Sequence, residues 1–403
     1  MSSMLFHSEV HSDHNFLPIA GTDYLELYVG NARQSAYYYR AAFGMSLVAW
    51  AGPETGLHDR ASYVVEQGGI RLVLTTPLRP DCGIADHIRR HGDGVRDIAF
   101  CVDDAKSAWR EATRRGARSV HECHDLEDDF GRVKLASIAA YGDTIHTFVE
   151  RGRYFGPFLP GYEVVDHGRS FCDPVSRPVG LSAIDHIAGN VGWGELRRWI
   201  DFYTDVLGFS LHRSCEDEND TDAAIATKSA RGTSKVVTCG EAGISFPINE
   251  PAELKRAREL GKSQSNSQSK PWIEQYLESY HGPGVQRIAL ASENIFETVE
   301  KMRAQGVEFL NIPPGYYASL RTRRSRGQQP SLEESISELE RLGLLVDWDE
   351  SGYMLQAVTR PVEDRPTLFF EIVQRKGCGS FGAESFKALA EATELATVTM
   401  RSR

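Results

Sequence analysis

The sequence predicts an α+β fold in which four βαβββ modules form two open, barrel-like cups. The first observation is an internal repeat: residues 281–290 (HGPGVQRIAL) match residues 91–100 (HGDGVRDIAF) at six of ten positions. The second is that four strand-like runs are each followed by an amphipathic helical pattern closing on a Gly, the residue that suits the left-handed end of a helix. The runs are 24–29, 95–102, 184–191 and 285–291, and the helical patterns are 32–44, 104–116, 196–208 and 294–306.

Short alternating runs after each Gly complete the modules. Residues 71–75 (RLVLT) and 144–149 (TIHTFV) have the alternation of half-buried strands. One curved four-stranded unit leaves its apolar face exposed, so two units are expected to pair into a cup, and two such pairs make two domains.

The expected domain organisation has five parts. In order, they are a flexible N-terminus (1–20), an N-terminal domain (21–154), a Pro- and Gly-rich connector (155–180), a C-terminal domain (181–380), and a C-terminal helix and tail (381–403).

The second half also contains extra material. The polar residues 262–270 predict a disordered loop. Within the segment 313–349, residues 331–344 have helical spacing.

Composition narrows the functional class. The chain has 403 residues, 41% of them hydrophobic, and no apolar run approaches the roughly 18 residues of a membrane helix. A net charge of −11 without a clustered basic face argues against nucleic acid. Seven scattered Cys and an N-terminus without signal-peptide features favour a cytoplasmic protein. Small-molecule partners are therefore expected, with homo-oligomerisation left open.

Several separated motifs resemble one family. They are Asp185-His186, residues 247–251 (PINEP), residues 284–286 (GVQ), residues 355–356 (LQ) and residues 365–375 (RPTLFFEIVQR). In order and spacing they resemble 4-hydroxyphenylpyruvate dioxygenases of the vicinal oxygen chelate superfamily, over about residues 21–393. The resemblance implies the two-domain vicinal oxygen chelate fold. It also implies oxidative decarboxylation and ring hydroxylation of an aromatic 2-oxo acid by O2 to homogentisate, a step of tyrosine catabolism.

The resemblance implies an active-site cup in the C-terminal domain (181–380), a C-terminal helix (381–403) that closes it, and an N-terminal domain without a metal site. It implies that the cup holds an Fe(II) centre on two His and one Glu. His186 matches the first ligand and Glu371 the carboxylate, but Arg287 stands at the position of the second His. A guanidinium has donors only and no lone pair to give, and its charge repels a nearby cation. Arg287 therefore cannot ligate iron.

The resemblance also implies a set of residues around the substrate. Gln286, Gln356 and Phe381 are expected to act in catalysis by orienting the substrate and closing the site. The expected substrate-binding residues are Ser234, Asn249, Gln286, Gln356, Val358, Phe381 and Phe386. Three positions depart from the family pattern, with Val358, Trp272 and Ser385 where Phe, Gln and Asn are usual. A Val in place of Phe enlarges the pocket and changes which ring fits.

The internal repeat offers a comparison for the metal site. Alignment on Gly-Asn (30–31 with 189–190) places Leu27 at the position of His186, and the repeated decapeptide places Asp97 at that of Arg287. Of the three ligand positions, the first half then keeps only the carboxylate, with Glu150 at the position of Glu371. The N-terminal cup is expected to hold no metal.

Three hypotheses follow. The first is a dioxygenase of the family type. The second is a diverged metal-free paralogue, a binding or regulatory protein or a non-oxidative enzyme. In it Arg287 occupies the iron position, pairs with Glu371 in bidentate fashion or holds a substrate carboxylate. The third is an iron site with two protein ligands, His186 and Glu371, from which Arg287 turns away.

Overall fold

The protein folds into two curled mixed sheets with helices packed on them, in a computed structural model. The structure describes residues 16–167, 173–212, 232–251, 272–327 and 331–382.

The strands of the first sheet are β1 (Ile19–Tyr28), β2 (Ser46–Ala51), β3 (Arg60–Gln67), β4 (Ile70–Pro77), β5 (Gly94–Val102), β6 (Ser119–Asp128), β7 (Gly131–Ala139), β8 (Ile145–Tyr154) and β9 (Glu163–Val164). Those of the second are β10 (Leu181–Asn190), β11 (Ser210–Leu211), β12 (Gly232–Cys239), β13 (Ile244–Pro251), β14 (Gly284–Ser292), β15 (Leu345–Asp349), β16 (Gly352–Val358) and β17 (Phe369–Lys376). The first sheet has the strand order β6-β7-β8-β5-β1-β4-β3-β2-β9 and the second β11-β12-β13-β10-β14-β17-β16-β15. The helices are α1 (Ala32–Phe43), α2 (Gly83–His91), α3 (Ala105–Arg114), α4 (Leu196–Asp201), α5 (Trp272–Tyr280), α6 (Ile295–Ala304), α7 (Pro314–Ser325) and α8 (Ile336–Leu342).

The pairing of strands confirms the modules predicted from the repeat. In the first sheet β1 runs parallel to β4 and antiparallel to β5, and β5 runs parallel to β8. In the second sheet β10, β13, β14 and β17 repeat this arrangement. Each sheet therefore joins two modules through its central antiparallel pair.

The predicted module helices form, with one local difference. Asn31 caps α1 by accepting a hydrogen bond from the backbone N–H of Gln34 at 3.0 Å, and Gly44 ends it at φ 67°. The helix predicted over 196–208 is α-helical only to Asp201 and continues as a π-helix over Phe202–Val206.

The main core lies between the two sheets and their helices. Phe43 of α1 packs edge-on against Phe370 of β17, with ring centroids 4.9 Å apart. The buried His146 of β8 contacts the hydroxyl of Tyr203 at 2.9 Å. Aromatic contacts of this kind stabilise the fold beyond the effect of the apolar area they bury. They therefore hold the second sheet and its site against the first sheet.

The connector and the insertions also have structure where they are described. Phe158 is buried and packs edge-on against Tyr24, with ring centroids 5.3 Å apart, so this part of the connector packs on the first sheet. The helical spacing of 331–344 corresponds to α8, where Ser335 and Glu338 form a capping box. Residues 262–270, predicted as a loop, lie outside the described residues.

Among the described residues, no helix is long and apolar enough to cross a bilayer.

Candidate active site

Three adjacent strands bring His186 and Glu371 together. His186 of β10 pairs with Ala289 of β14, and Ala289 pairs with Glu371 of β17. Directly paired residues of neighbouring strands project to the same face of a sheet. His186 and Glu371 therefore flank the small side chain of Ala289, and both side chains are fully buried.

Arg287 lies on the same face, two residues before Ala289. The pairing of β14 with β10 skips Gln286, so a β-bulge precedes Arg287. The Arg287 Nη1 donates a hydrogen bond to Glu371 Oε1 at 3.1 Å, and the Arg287 side chain is 6% exposed. The guanidinium thus points toward the Glu371 carboxylate rather than away from it.

His186 has a fixed orientation. Its Nδ1 lies 2.7 Å from Asp185 Oδ1, and Arg375 donates two hydrogen bonds to the same carboxylate at 2.7 and 2.8 Å. Although burial raises the pKa of Asp185, its contacts with His186 and Arg375 hold that pKa well below the usual range. The ionised carboxylate keeps the His186 proton on Nδ1, so Nε2 presents a lone pair.

The atoms that face each other across the site suit a cation. His186 Nε2 and Glu371 Oε2 are 3.3 Å apart. Both are buried, and neither has a hydrogen-bond partner among the described residues. Two buried acceptors face to face are unfavourable unless a proton or a metal ion lies between them. The donor set fits Fe(II) at two positions, while Arg287 occupies the side of Glu371 on which the third ligand was expected.

A row of polar side chains forms the next part of the site. Asn249 of β13 pairs with Ser234 on one side and Asn190 on the other. The Asn249 side-chain amide donates to Asn190 Oδ1 at 3.1 Å, and the Asn190 amide donates to Gln286 Oε1 at 2.6 Å. This chain of hydrogen bonds holds Gln286 in place through Asn190.

The opposite part of the face comes from β16. Val358 pairs with Glu371, and Gln356 pairs with Val373, two residues farther along β17. Both predicted residues are buried: Gln356 is 0% and Val358 3% exposed. They share the face of Glu371 because residues two apart on a strand project to the same side.

Phe381 covers His186. The two ring centroids are 5.4 Å apart with the rings edge to face, and the ring of His212 lies 5.3 Å from Phe381 on another side. The Arg375 guanidinium lies 4.9 Å from the centre of the Phe381 ring. The predicted residue Phe386 lies outside the described residues.

Strand register corrects the comparison of the two cups. Tyr24 pairs with Ala99 as His186 pairs with Ala289, so Tyr24 is the counterpart of His186 and Leu27 is not. The expected counterpart Glu150 is also wrong. By the register of β5 and β8, Thr147 corresponds to Glu371, while Glu150 pairs with Lys134 at 2.6 Å. Leu27 was a wrong choice because the Gly-Asn pair used for the alignment follows Tyr24 in the first copy and His186 in the second at different spacings.

The counterpart residues form a cluster of their own. Thr147 Oγ1 donates to Asp97 Oδ2 at 2.5 Å, and the Tyr24 hydroxyl donates to the same oxygen at 3.3 Å. Burial raises the pKa of Asp97 to about 7, with the hydrogen bond from Thr147 lowering it and Glu26 raising it.

Sequence reasoning missed Asn190, Asp185 and Arg375 as parts of the site. Asp185 and Arg375 stand inside the quoted motifs, next to His186 and four residues after Glu371. A carboxylate adjacent to a candidate ligand His is a signal of an orienting partner. Asn190 gave no signal, because its link to Gln286 depends on a strand pairing that the sequence does not display.

Comparison with known proteins gives relatives along nearly the whole chain. Residues 183–326 match the model of the Glyoxalase/Bleomycin resistance protein/Dioxygenase superfamily. The 4-hydroxyphenylpyruvate dioxygenase of Dictyostelium discoideum is 42% identical over 93% of this chain and 97% of its own length. That of Coccidioides posadasii is 40% identical over 93% of this chain and 92% of its own length. Among solved structures, a triple mutant of 4-hydroxymandelate synthase from Streptomyces coelicolor matches with a TM-score of 0.75 at 30% identity, over 94% of this chain and 99% of that chain.

Proposed function

The chain belongs to the 4-hydroxyphenylpyruvate dioxygenase family, and from that premise we propose that it is an Fe(II)- and O2-dependent dioxygenase of an aromatic 2-oxo acid. The proposed reaction is oxidative decarboxylation with ring hydroxylation, which converts 4-hydroxyphenylpyruvate to homogentisate. The observation that supports it is the pair of facing atoms His186 Nε2 and Glu371 Oε2, buried 3.3 Å apart. A 2-oxo acid is a bidentate chelator, so it supplies metal ligands that the protein lacks.

His186 and Glu371 would hold the iron. When bound, Fe(II) supplies the activation of O2 that side chains alone do not provide. Asp185 contributes by keeping the proton of His186 on Nδ1, which leaves Nε2 as the ligand atom. Arg375 fixes Asp185 through two hydrogen bonds, so the imidazole is held before any ligand arrives.

Arg287 takes a role other than ligation. Its contact with Glu371 Oε1 leaves Oε2 toward His186, so it sets which carboxylate oxygen is presented. Its positive charge also favours the carboxylate of an incoming 2-oxo acid, which guanidinium binds well.

The remaining residues would position the aromatic part of the substrate. Gln286, held by Asn190, presents its side-chain amide, and Gln356 lies buried on the same face as Glu371. Val358 adds apolar surface beside the carboxylate. Phe381 covers His186 and excludes water from that side of the site.

The proposal is tested by product analysis. The purified protein, reconstituted anaerobically with Fe(II), is given 4-hydroxyphenylpyruvate and O2, and homogentisate is measured by chromatography. Homogentisate formation that is lost in Glu371→Gln is the expected result. No homogentisate from a folded protein that binds the substrate would overturn it.

The Arg287–Glu371 ion pair favours a second candidate function, metal-free binding of an aromatic 2-oxo acid. A buried guanidinium beside Glu371 stands where a metal ligand was expected, and it neutralises the carboxylate without a metal ion. Calorimetric titration of the protein with 4-hydroxyphenylpyruvate in excess chelator tests this candidate. Micromolar binding that is abolished in Arg287→Met supports it, and absence of binding without iron excludes it.

A further inference from the structure

A second group of metal-ligating side chains lies away from the candidate active site. His87 and His91, four residues apart on α2, and Asp143, before β8, place their ligand atoms within 4.8 Å of one another. His87 is 6% and His91 2% exposed. Side chains four apart on a helix lie on the same face, so α2 presents both imidazoles in one direction.

The contacts of His91 define which nitrogen faces the group. Its Nδ1 is hydrogen-bonded to the backbone carbonyl of Tyr280, which accepts only, so Nδ1 carries a proton. Its Nε2 lies 2.8 Å from Asp143 Oδ2, also an acceptor. A cation is required between these two atoms, either a second proton on the ring or a metal ion. A His that donates its other N–H to a backbone carbonyl is the usual arrangement of a metal ligand.

The ring of His87 gives a second indication of a bound ligand. Both of its ring nitrogens are buried and neither has a hydrogen-bond partner among the described residues. Its ring lies 4.6 Å from that of His91, centroid to centroid. Leaving a buried polar atom unsatisfied destabilises the folded state, so an unsatisfied imidazole in this position needs an explanation.

We propose that His87, His91 and Asp143 form a binding site for a divalent transition-metal ion such as Zn²⁺. Two imidazoles and one carboxylate are ligands that Zn²⁺ accepts, with water in the fourth position. Ligand atoms around tetrahedral Zn²⁺ lie about 3.3 Å apart for bonds of about 2.0 Å, so small side-chain rotations close the group around the ion. The metal takes the place of the Nε2 proton of His91, which is released to solvent.

Two arginines contact Asp143, and one of them, Arg90, binds the carboxylate oxygen that the metal would use. Arg90 Nη1 contacts Asp143 Oδ2 at 2.8 Å, and Arg96 donates to the Asp143 carbonyl oxygen. The Arg90 side chain is 60% exposed, so it leaves Asp143 at little cost when a divalent ion arrives. Because Tyr280 belongs to α5, the site joins the half of the chain that carries α2 to the half that carries the candidate active site.

The test is calorimetric titration of the chelator-treated full chain with Zn²⁺. It is made in a His186→Ala background, so that the first site does not contribute. One equivalent bound is the expected result. A further His87→Gln change, which removes no hydrogen bond, is expected to weaken binding at least about tenfold. His124→Gln, at an exposed His of β6, is the matched control and leaves binding unchanged.

Two outcomes overturn the proposal. The first is no saturable Zn²⁺ binding in the His186→Ala protein. The second is equal binding in the His87→Gln and His124→Gln versions. Asp143→Asn provides a second variant at a partly exposed position, and it must also weaken Zn²⁺ binding while leaving the circular dichroism spectrum unchanged.

Discussion

Arg287 and Glu371 form a buried ion pair in the centre of the second sheet, with Arg287 Nη1 3.1 Å from Glu371 Oε1. His186 lies against the other oxygen of the same carboxylate, at 3.3 Å. Glu371 is thus shared between a permanent cation and an imidazole. This relationship differs from the hypothesis in which Arg287 turns away from the site, because the guanidinium contacts the carboxylate that would hold a metal.

Removing the guanidinium is expected to destabilise the metal-free protein. Arg287→Met leaves the Glu371 carboxylate buried without its charged partner, which lowers the free energy of unfolding by about 3 kcal/mol. Urea unfolding in chelator measures the loss. The control is Arg321→Met, which breaks the exposed pair with Glu340 and costs less than about 1 kcal/mol. Equal losses in the two variants would contradict a role for the buried pair.

Asp185 is expected to set the affinity of the site for Fe(II). Asp185→Asn removes the negative charge that holds the His186 proton on Nδ1, so Fe(II) affinity falls about 10- to 100-fold. Anaerobic Fe(II) titration measures it. Asp201→Asn, at an exposed ion pair with Arg197 on α4, serves as the control. Unchanged affinity in Asp185→Asn would show that the carboxylate only supports the fold.

The space beside Glu371 is expected to control which aromatic ring fits. Val358→Phe adds an aromatic wall at a fully buried position paired with Glu371. We expect KM to rise more for indole-3-pyruvate than for 4-hydroxyphenylpyruvate, by roughly tenfold or more, since about 1–3 kcal/mol is typical for a small change in pocket volume. Equal changes in both KM values would place Val358 outside the substrate pocket.

Asp97 is expected to make stability depend on pH. Burial, the largest cause, raises its pKa to about 7, against about 3.9 in an unfolded chain. Between these values the folded state binds the extra proton, so the contribution of Asp97 to the free energy of unfolding is highest below about pH 4, falls as pH rises toward 7 and then levels off. Asp97→Asn removes this contribution. Urea unfolding at pH 5 and pH 8 is expected to differ less in Asp97→Asn than in the unmodified protein, and an unchanged difference would contradict the shifted pKa.

The repeat made the architecture predictable, and the motifs made part of the site predictable. The two copies of the decapeptide fixed β5 and β14 as equivalent central strands, and Gly44 and Gly208 marked where helices end. His186 and Glu371 were found by motif and do converge. Strand register is a non-local property, so the role of Tyr24 and Thr147 in the first sheet could not be derived from spacing.

The direction of the side chains was the other property that the sequence could not predict. The sequence left open whether Arg287 pairs with Glu371 or turns away, because a long flexible side chain has many rotamers. In the fold, the bulge at Gln286 and the hydrogen bond to Glu371 direct the Arg287 side chain toward that carboxylate. Asn190 entered the site through the pairing of β10 with both β13 and β14.

The most direct measurement is the iron content of the unmodified protein after anaerobic Fe(II) reconstitution, with O2 uptake on adding 4-hydroxyphenylpyruvate. Arg287→His and Arg287→Met are measured beside it, so that adding a ligand is separated from removing a charge. The proposed function predicts about one iron per chain and O2 uptake in the unmodified protein. Iron and O2 uptake in Arg287→His alone would contradict it and would show that Arg287 has replaced the metal.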